Sequence, residues 1–290
     1  MKTKFFVVLK MNEKLIENGL LFITLILTLI IGLMLFFLIS QSMPAFGQIG
    51  FQEMLAGLKW LPDMEIFGTF PMILSTLTVS FLALMIAVPL SLTTAIYIEE
   101  IASDYVKELF KPIIQTLSGI PSVVYGFFGL TVLVPLIREN LGGTGFSILT
   151  ASIVLAIMIL PTIISLSQDA ISNVAFDYRQ ASLALGSSHF QTIRHIIIPC
   201  ALPGIFTGII LGLGRAVGET LAVLMIVGNV AQIPNSLIDP VRTLASNIAL
   251  EMGYAMDIHY NALFASALIL FAIIIVLMLI STYIQHKWGC

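Results

Sequence analysis

An all-α integral membrane fold with six transmembrane helices is the reading that three observations support. Hydrophobic residues make up 58% of the 290 residues and charged residues only 10%, with a mean hydropathy of +1.04; a soluble domain carries about a quarter charged residues. Six apolar windows are each long enough to cross a hydrocarbon core of ~30 Å, which takes ~20 helical residues. The basic residues also fall mostly on one side of those windows. No linker or internal repeat divides the chain, so residues 1–290 are read as a single transmembrane domain.

The first residues, MKTKFFVVLKMNEK, have the basic start of a signal peptide, but the apolar run at 19–39 is too long for a signal core and reads as an uncleaved first helix. The second window, 69–98, exceeds the length a straight span needs and is expected to tilt, kink or protrude. The third and fourth are 113–137 and 146–166. Pro89, Pro121 and Pro161 lie in or near these spans and read as kinks, while Gly119, Gly126 and Gly129 permit close helix packing. The fifth, 199–227, is again long, and the sixth is 260–284.

Lys2, Lys4, Lys10, Lys14, Lys107, Lys111, Arg179, Arg194 and Lys287 fall on one side, against Lys59, Arg138 and Arg242 on the other. The positive-inside rule then puts both termini in the cytoplasm. Cys200 and Cys290 sit at cytoplasmic helix ends and read as reduced thiols. Basic residues form no stripe, which excludes nucleic acid as a partner, and membrane lipid is the expected surrounding. His189, His195, His259 and His286 have no metal spacing. No Walker A motif occurs, so no nucleotide chemistry is expected in this chain.

The loop at 168–198 is the longest predicted on the cytoplasmic side. In DYRQASLALGSSHFQTIRHIIIPCALPGI, good helix formers run to Leu185, Gly186 supplies a stop, and Ser188 with Gln191 forms a capping box that starts a second short helix ending before Pro199. Leu183, Leu185, Phe190 and Ile193 make this helix–turn–helix wedge partly apolar. It reads either as a docking element for a partner or as an amphipathic connector lying on headgroups.

The spacing of the wedge resembles the EAA loop of ABC importer permeases, in which Glu-Ala-Ala is followed at fixed distance by Gly and then Ile-x-Leu-Pro. The matching positions are Gln180, Ala181, Ser182, Gly186, Ile196, Ile198 and Pro199, with Gln180, Ser182 and Ile198 departing from the pattern. GIPSVVYGFFGL from Gly119, GRAVGETLAVLMIVGN from Gly214 and DPVRTLASNIALEMGYA from Asp239 resemble the PstC-type permease subunit of the phosphate ABC importer. The resemblance implies a type I ABC importer permease fold in a bacterial or archaeal plasma (inner) membrane. It implies a second permease of PstA type, two copies of a cytoplasmic ATPase and an extracytoplasmic phosphate-binding protein as partners. This chain would need no cofactor, with ATP and Mg used by the ATPase.

Arg215 and Glu219 stand within the fifth window, where charges are costly and usually functional. On a continuous helix at ~100° per residue, with Gly204 at zero, Gly208 falls at about 40°, Gly212 at about 80°, Arg215 at about 20°, Glu219 at about 60° and Gly218 at about −40°. Small residues spaced by four let helices approach, so this face is expected to meet protein. Arg215 lies ~18 Å beyond Pro203 at ~1.5 Å per residue, near the middle of the core, where its planar fork suits a phosphate oxygen pair. Glu219 is expected to hold a cation, either Arg215 or an arginine of the companion subunit, while the path is empty. The bland alternative is a structural ion pair.

Beyond the fifth span, Asp239-Pro240 reads as a helix start with Arg242 in its first turn, placed either to attract an anion or as an ordinary solvated charge. The resulting function is phosphate import by alternating access. Two alternatives are a permease for molybdate or sulfate and a proton-coupled carrier using Glu219.

Overall fold

The computed structural model describes residues 13–288, with side chains over 17–285. Lys2, Lys4, Lys10 and Cys290 lie outside these residues; Lys14, His286 and Lys287 have only their backbone described. Among the described residues the regular structure is helical except for one short hairpin and an isolated bridge between Gly228 and Val241. Among the same described residues six helices are long and apolar enough to cross a membrane.

Helix α1 (Glu13–Gln48) is followed by a short α2 (Phe51–Ala56) and by strands β1 (Trp60–Leu61) and β2 (Ile66–Phe67), which pair antiparallel with Trp60 opposite Phe67. The hairpin closes where the backbones of Gly57 and Gly68 touch; a Cβ at Gly68 would lie 2.3 Å from the Gly57 carbonyl carbon, so neither position tolerates a side chain. Helix α3 (Phe70–Ile96) starts with proline in its first turn and ends in a π-helical turn, Tyr97–Ile101.

The third predicted span is displaced. Residues 104–119 form a separate amphipathic helix, α4 (Asp104–Gly119), and the chain turns extended at Ile120 and Pro121. The crossing helix is α5 (Ser122–Phe128), a π-helical turn at Gly129–Leu133 and α6 (Val134–Leu141), together residues 122–141 rather than 113–137. The physical reason is Pro121, which forces the preceding residue out of the helical region. Gly126 and Gly129 do permit close approach, since a Cβ there would sit 2.9 Å from Ala222 Cα and 2.7 Å from Val154 Cγ2 respectively, whereas Gly119 has no neighbour within 4 Å.

Helix α7 (Ile148–Ser172) is capped by the Ser147 hydroxyl, which accepts from Thr150 N, and is the most buried of the spans. Helices α8 (Phe176–Ala184) and α9 (His189–Thr192) form the wedge. The second wedge helix does not stop before Pro199. It runs on through a π-helical turn, Ile193–Ile197, into α10 (Ile198–Gly218), so Pro199 sits in the first turn of that segment. The proline follows directly on the π-helical turn, where the backbone ladder is already locally rearranged. After α10 come α11 (Leu221–Ile226), α12 (Leu244–Glu251) and the last span, α13 (Asp257–Trp288).

Three apolar clusters hold this arrangement. The central one joins Val79 and Ala83 of α3 to Val154, Met158 and Ile159 of α7 and Ile226 of α11. A second, at the hairpin end, packs Met54, Trp60 and Phe67 under Leu244 and Leu263. The third, at the wedge end, gathers Ile98, Ile114, Ile171, Ile193 and Ile197. Ile193, expected on the wedge surface, is thus part of the core. Helix α1 packs on α13, with Phe37 edge-on to Phe264 at 5.6 Å, and leaves most of its apolar surface exposed, as a lipid-facing helix does.

Candidate functional site

Gly204, Gly208 and Gly212 place α10 against α7. A Cβ at Gly204 would come within 2.4 Å of Ala170 Cβ, at Gly208 within 3.2 Å of Leu166 Cβ, and at Gly212 within 3.0 Å of Ile163. The small-residue stripe therefore packs inside the chain, as helix pairs with small residues at the crossing do. Gly218 is not part of the contact: it is exposed with open space around it and ends the helix.

The close crossing brings Arg215 to α7. Its Nη1 donates to Thr162 Oγ1 at 3.4 Å, a long bond. Arg215 is half-buried and forms no ion pair among the described residues. The expected placement of Glu219 is corrected. The helix stops at Gly218 and Glu219 adopts extended backbone, ψ 129°, so Arg215 and Glu219 are not successive-turn neighbours and do not pair. The Glu219 carboxylate points the other way and accepts from Ala222 N at 3.1 Å, capping α11.

Thr162 begins a polar face that sequence reading missed. Ser165, Gln168, Asp169 and Ser172 continue down α7 and line a cavity of about 570 Å³ against Lys107, Glu108 and Lys111 of α4 and Glu99 of the π-helical turn after α3. Thr162, Ser165, Asp169 and Ser172 recur at helical spacing, a signal present in the sequence but diluted by the apolar residues between them. Arg215 thus stands at the inner end of a polar strip that leads toward the wedge end of the molecule.

At the opposite end the structure corrects the expected helix start at Asp239. Asp239 does not start a helix; its carboxylate accepts from Asn235 N and Ser236 N, both at 2.9 Å, and closes a turn. The chain stays extended because Val241 N donates to Val227 O at 3.0 Å, and α12 begins only at Leu244 under a capping box of Thr243 and Ser246. Arg242 is largely buried and engaged in hydrogen bonds. It donates to Asn229 O at 2.8 Å, to Asn247 Oδ1 at 2.9 Å and to Glu251 Oε1 at 2.6 Å. Glu251, whose side chain is 6% exposed, also accepts from Trp60 Nε1 at 2.8 Å and contacts His259 Nε2 at 2.9 Å. One carboxylate thus ties the hairpin, the loop after α11 and the start of α13 beside a cavity of about 770 Å³. Sequence reasoning missed Glu251 because its partners are distant in the chain.

The wedge is built as expected at its turn. Gly186 has φ +87°, its N–H bonds Leu183 O, and Ser187 N bonds Ser182 O, the Schellman arrangement. The Ser188–Gln191 capping box is present. Ser182, where the importer pattern has Ala, is buried and hydrogen-bonds Thr192 at 2.9 Å, joining the two wedge helices. Gln180 and Ala181 are exposed, and Leu185 is 88% exposed beside exposed Leu183 and Phe190. Among the described residues no group of His, Cys, Asp and Glu could hold a metal ion.

Comparison with known proteins converges on one family. Residues 88–289 match the family described as binding-protein-dependent transport system inner membrane component. The chain is 41% identical over 241 residues to the probable ABC transporter permease protein YqgH of Bacillus subtilis, covering 81% of this chain and 78% of the relative. It is 34% identical over 280 residues to the phosphate transport system permease protein PstC of Pasteurella multocida, covering 90% and 87%. Among solved structures, a bacterial ABC transporter involved in the import of the acidic polysaccharide alginate superposes with a TM-score of 0.65 over 95% of this chain and 98% of that one at 18% identity. The MetNI methionine ABC transporter in an inward-facing conformation gives a TM-score of 0.60 over 80% and 100%, also at 18% identity. At such identities these two carry the fold alone, that of a type I ABC importer permease. The chain belongs to the binding-protein-dependent transport system inner membrane components, multi-pass proteins of the inner membrane, and within them to the PstC-type permeases.

Proposed function

We propose that this chain is the permease subunit of an ATP-driven importer that moves inorganic phosphate into the cytoplasm by alternating access. The observation that carries the proposal is the 34% identity to a phosphate transport permease across 90% of this chain. Arg215 adds to it: a guanidinium inside a span, with no carboxylate partner among the described residues, offers donors to an anion that has shed its water.

In this reading both termini and the wedge face the cytoplasm. The exposed Leu183, Leu185 and Phe190 receive one of two ATPase copies, which bring the ATP and Mg. A second permease of PstA type covers the exposed side of α5 and α10 and completes the path, and its arginine is the cation for the outer side of Glu219. An extracytoplasmic phosphate-binding protein delivers the ion at the end that holds the Glu251 cluster. One of the alginate transporter structures was solved in complex with an alginate pentasaccharide-bound periplasmic protein, and a delivery protein for this chain follows the same plan.

The test is uptake of labelled phosphate by proteoliposomes holding the assembled complex. Uptake that requires the binding protein and ATP supports the proposal. Uptake driven by a pH gradient without ATP would establish a proton-coupled carrier instead, and equal competition by sulfate or molybdate would establish a broader oxyanion permease. Arg215→Lys keeps the charge and loses the fork. It is expected to lower uptake roughly tenfold or more with assembly unchanged, the equivalent of one charge-assisted hydrogen bond.

A further inference from the structure

Glu100 lies in the π-helical turn that ends α3, and its side chain is only 3% exposed. A buried carboxylate needs a cation or donors to stay in place. The partner comes from the wedge: Arg179 Nη2 stands 3.0 Å from Glu100 Oε1, and the same nitrogen donates to Ile171 O at 2.9 Å, one of the last carbonyls of α7. His189, the first residue of α9, places Nε2 3.9 Å from the other Glu100 oxygen. Arg179 Nε and Glu100 Oε1 are both buried without a hydrogen-bond partner, so the two groups meet as an ion pair by proximity and each is the charged neighbour that compensates the other's burial. Beneath the ion pair, Ile98, Ile171, Val174, Ile193 and Ile197 form one apolar cluster.

One guanidinium therefore joins three elements: the wedge helix α8, the π-turn of α3 and the C-terminal end of α7. Helix α7 is also the helix whose Thr162 receives Arg215. A rigid helix carries an axial shift along its whole length, so motion imposed at Ile171 arrives at Thr162. The position immediately after Arg179 is Gln180, uncharged where the importer pattern has Glu, so the wedge carries its ionic contact inward to Glu100.

We infer that the Arg179–Glu100 pair is a clamp that makes the wedge, α3 and α7 move as one body, delivering ATPase motion at the wedge to the Arg215 site. The inference rests on the phosphate-import reading. Arg179 and Glu100 act as positioning residues; neither touches the ion.

The test is made on the assembled transporter in proteoliposomes, measuring phosphate uptake and ATP hydrolysis together. Glu100→Gln keeps the shape and removes the charge. It should leave the ATPase bound and hydrolysing while phosphate moved per ATP falls about fivefold or more, the size of a typical coupling between sites. Exchanging the charges, Glu100→Arg with Arg179→Glu, should restore the ratio to within about twofold. If Glu100→Gln fails to assemble, a second pair keeps the inference testable. Glu100→Cys with Arg179→Cys, made in a Cys200→Ser, Cys290→Ser background, is bridged by a short bis-maleimide. Bridged complexes should couple well and unbridged ones poorly. A wild-type ratio in Glu100→Gln, or a bridge that blocks transport, overturns the clamp. Wild-type complex in the same vesicles separates the two readings: ATP hydrolysis there without phosphate movement would sink the import reading itself.

Discussion

Replacing Glu251 with Ala removes the carboxylate on which Trp60, Arg242 and His259 converge at 2.8, 2.6 and 2.9 Å. The side chains of Glu251, Arg242 and His259 are 6%, 16% and 13% exposed, so water cannot freely take the place of the lost oxygens. Breaking a buried ion pair from one side costs about 3–5 kcal/mol, and an orphaned buried N–H such as that of Trp60 about 1–3 kcal/mol. These do not add in full, because Arg242 keeps its bonds to Asn229 O and Asn247 Oδ1. We therefore expect a destabilisation of about 3–5 kcal/mol for Glu251→Ala. Glu251→Gln keeps one acceptor oxygen and should lose about 1–3 kcal/mol. The assay is reversible unfolding in mixed micelles titrated with a denaturing detergent, with Trp60 fluorescence as a local probe. The double variant Glu251→Leu with Arg242→Met removes both charges and should lose less than the sum of the two single losses, while the orphaned Trp60 N–H and His259 keep it below wild type. A Glu251→Ala loss below about 1 kcal/mol, or a double variant worse than either single one, would refute the reasoning that the pair is buried and mutually dependent.

Four further outcomes follow from the packing and the wedge. Gly204→Val forces side-chain atoms into Ala170, whose Cβ is already 2.4 Å from where a Cβ would stand, and should destabilise by about 1–3 kcal/mol in the same titration. Gly218→Ala, with open space around it, should be neutral within about 0.5 kcal/mol. Gly186→Ala meets no atom, yet its φ of +87° belongs to glycine; it should cost about 1–2 kcal/mol locally and lower ATPase retention on co-purification. Leu185→Asp, at a site 88% exposed, should leave folding unchanged and abolish ATPase retention; normal co-purification would show that the ATPase docks elsewhere.

The number of spans and their order were legible because hydropathy adds up side chains, and side-chain transfer into lipid is a local property of each residue. The wedge was legible for the same reason. Gly186, Ser188 and Gln191 act on backbone groups a few residues away, and both the turn and the capping box form where those residues stand. The glycine spacing of Gly204, Gly208 and Gly212 likewise announced a close helix contact, although only the fold named α7 as the partner.

What the tertiary structure decided is where helices break and which charges meet. Hydropathy is blind to a backbone that turns extended inside an apolar run, so Ile120-Pro121 and Glu219 were read as helix interior, and Arg215 and Glu219 as neighbours on one face. In the fold, the extended backbone at 219 turns Glu219 away to cap α11 and leaves Arg215 to Thr162. Glu251 with Trp60, and Glu100 with Arg179, are far apart along the chain. Which buried carboxylate finds which cation is set by desolvation in a packed interior, where an unmatched charge is too costly to keep, and no spacing along the sequence encodes that meeting.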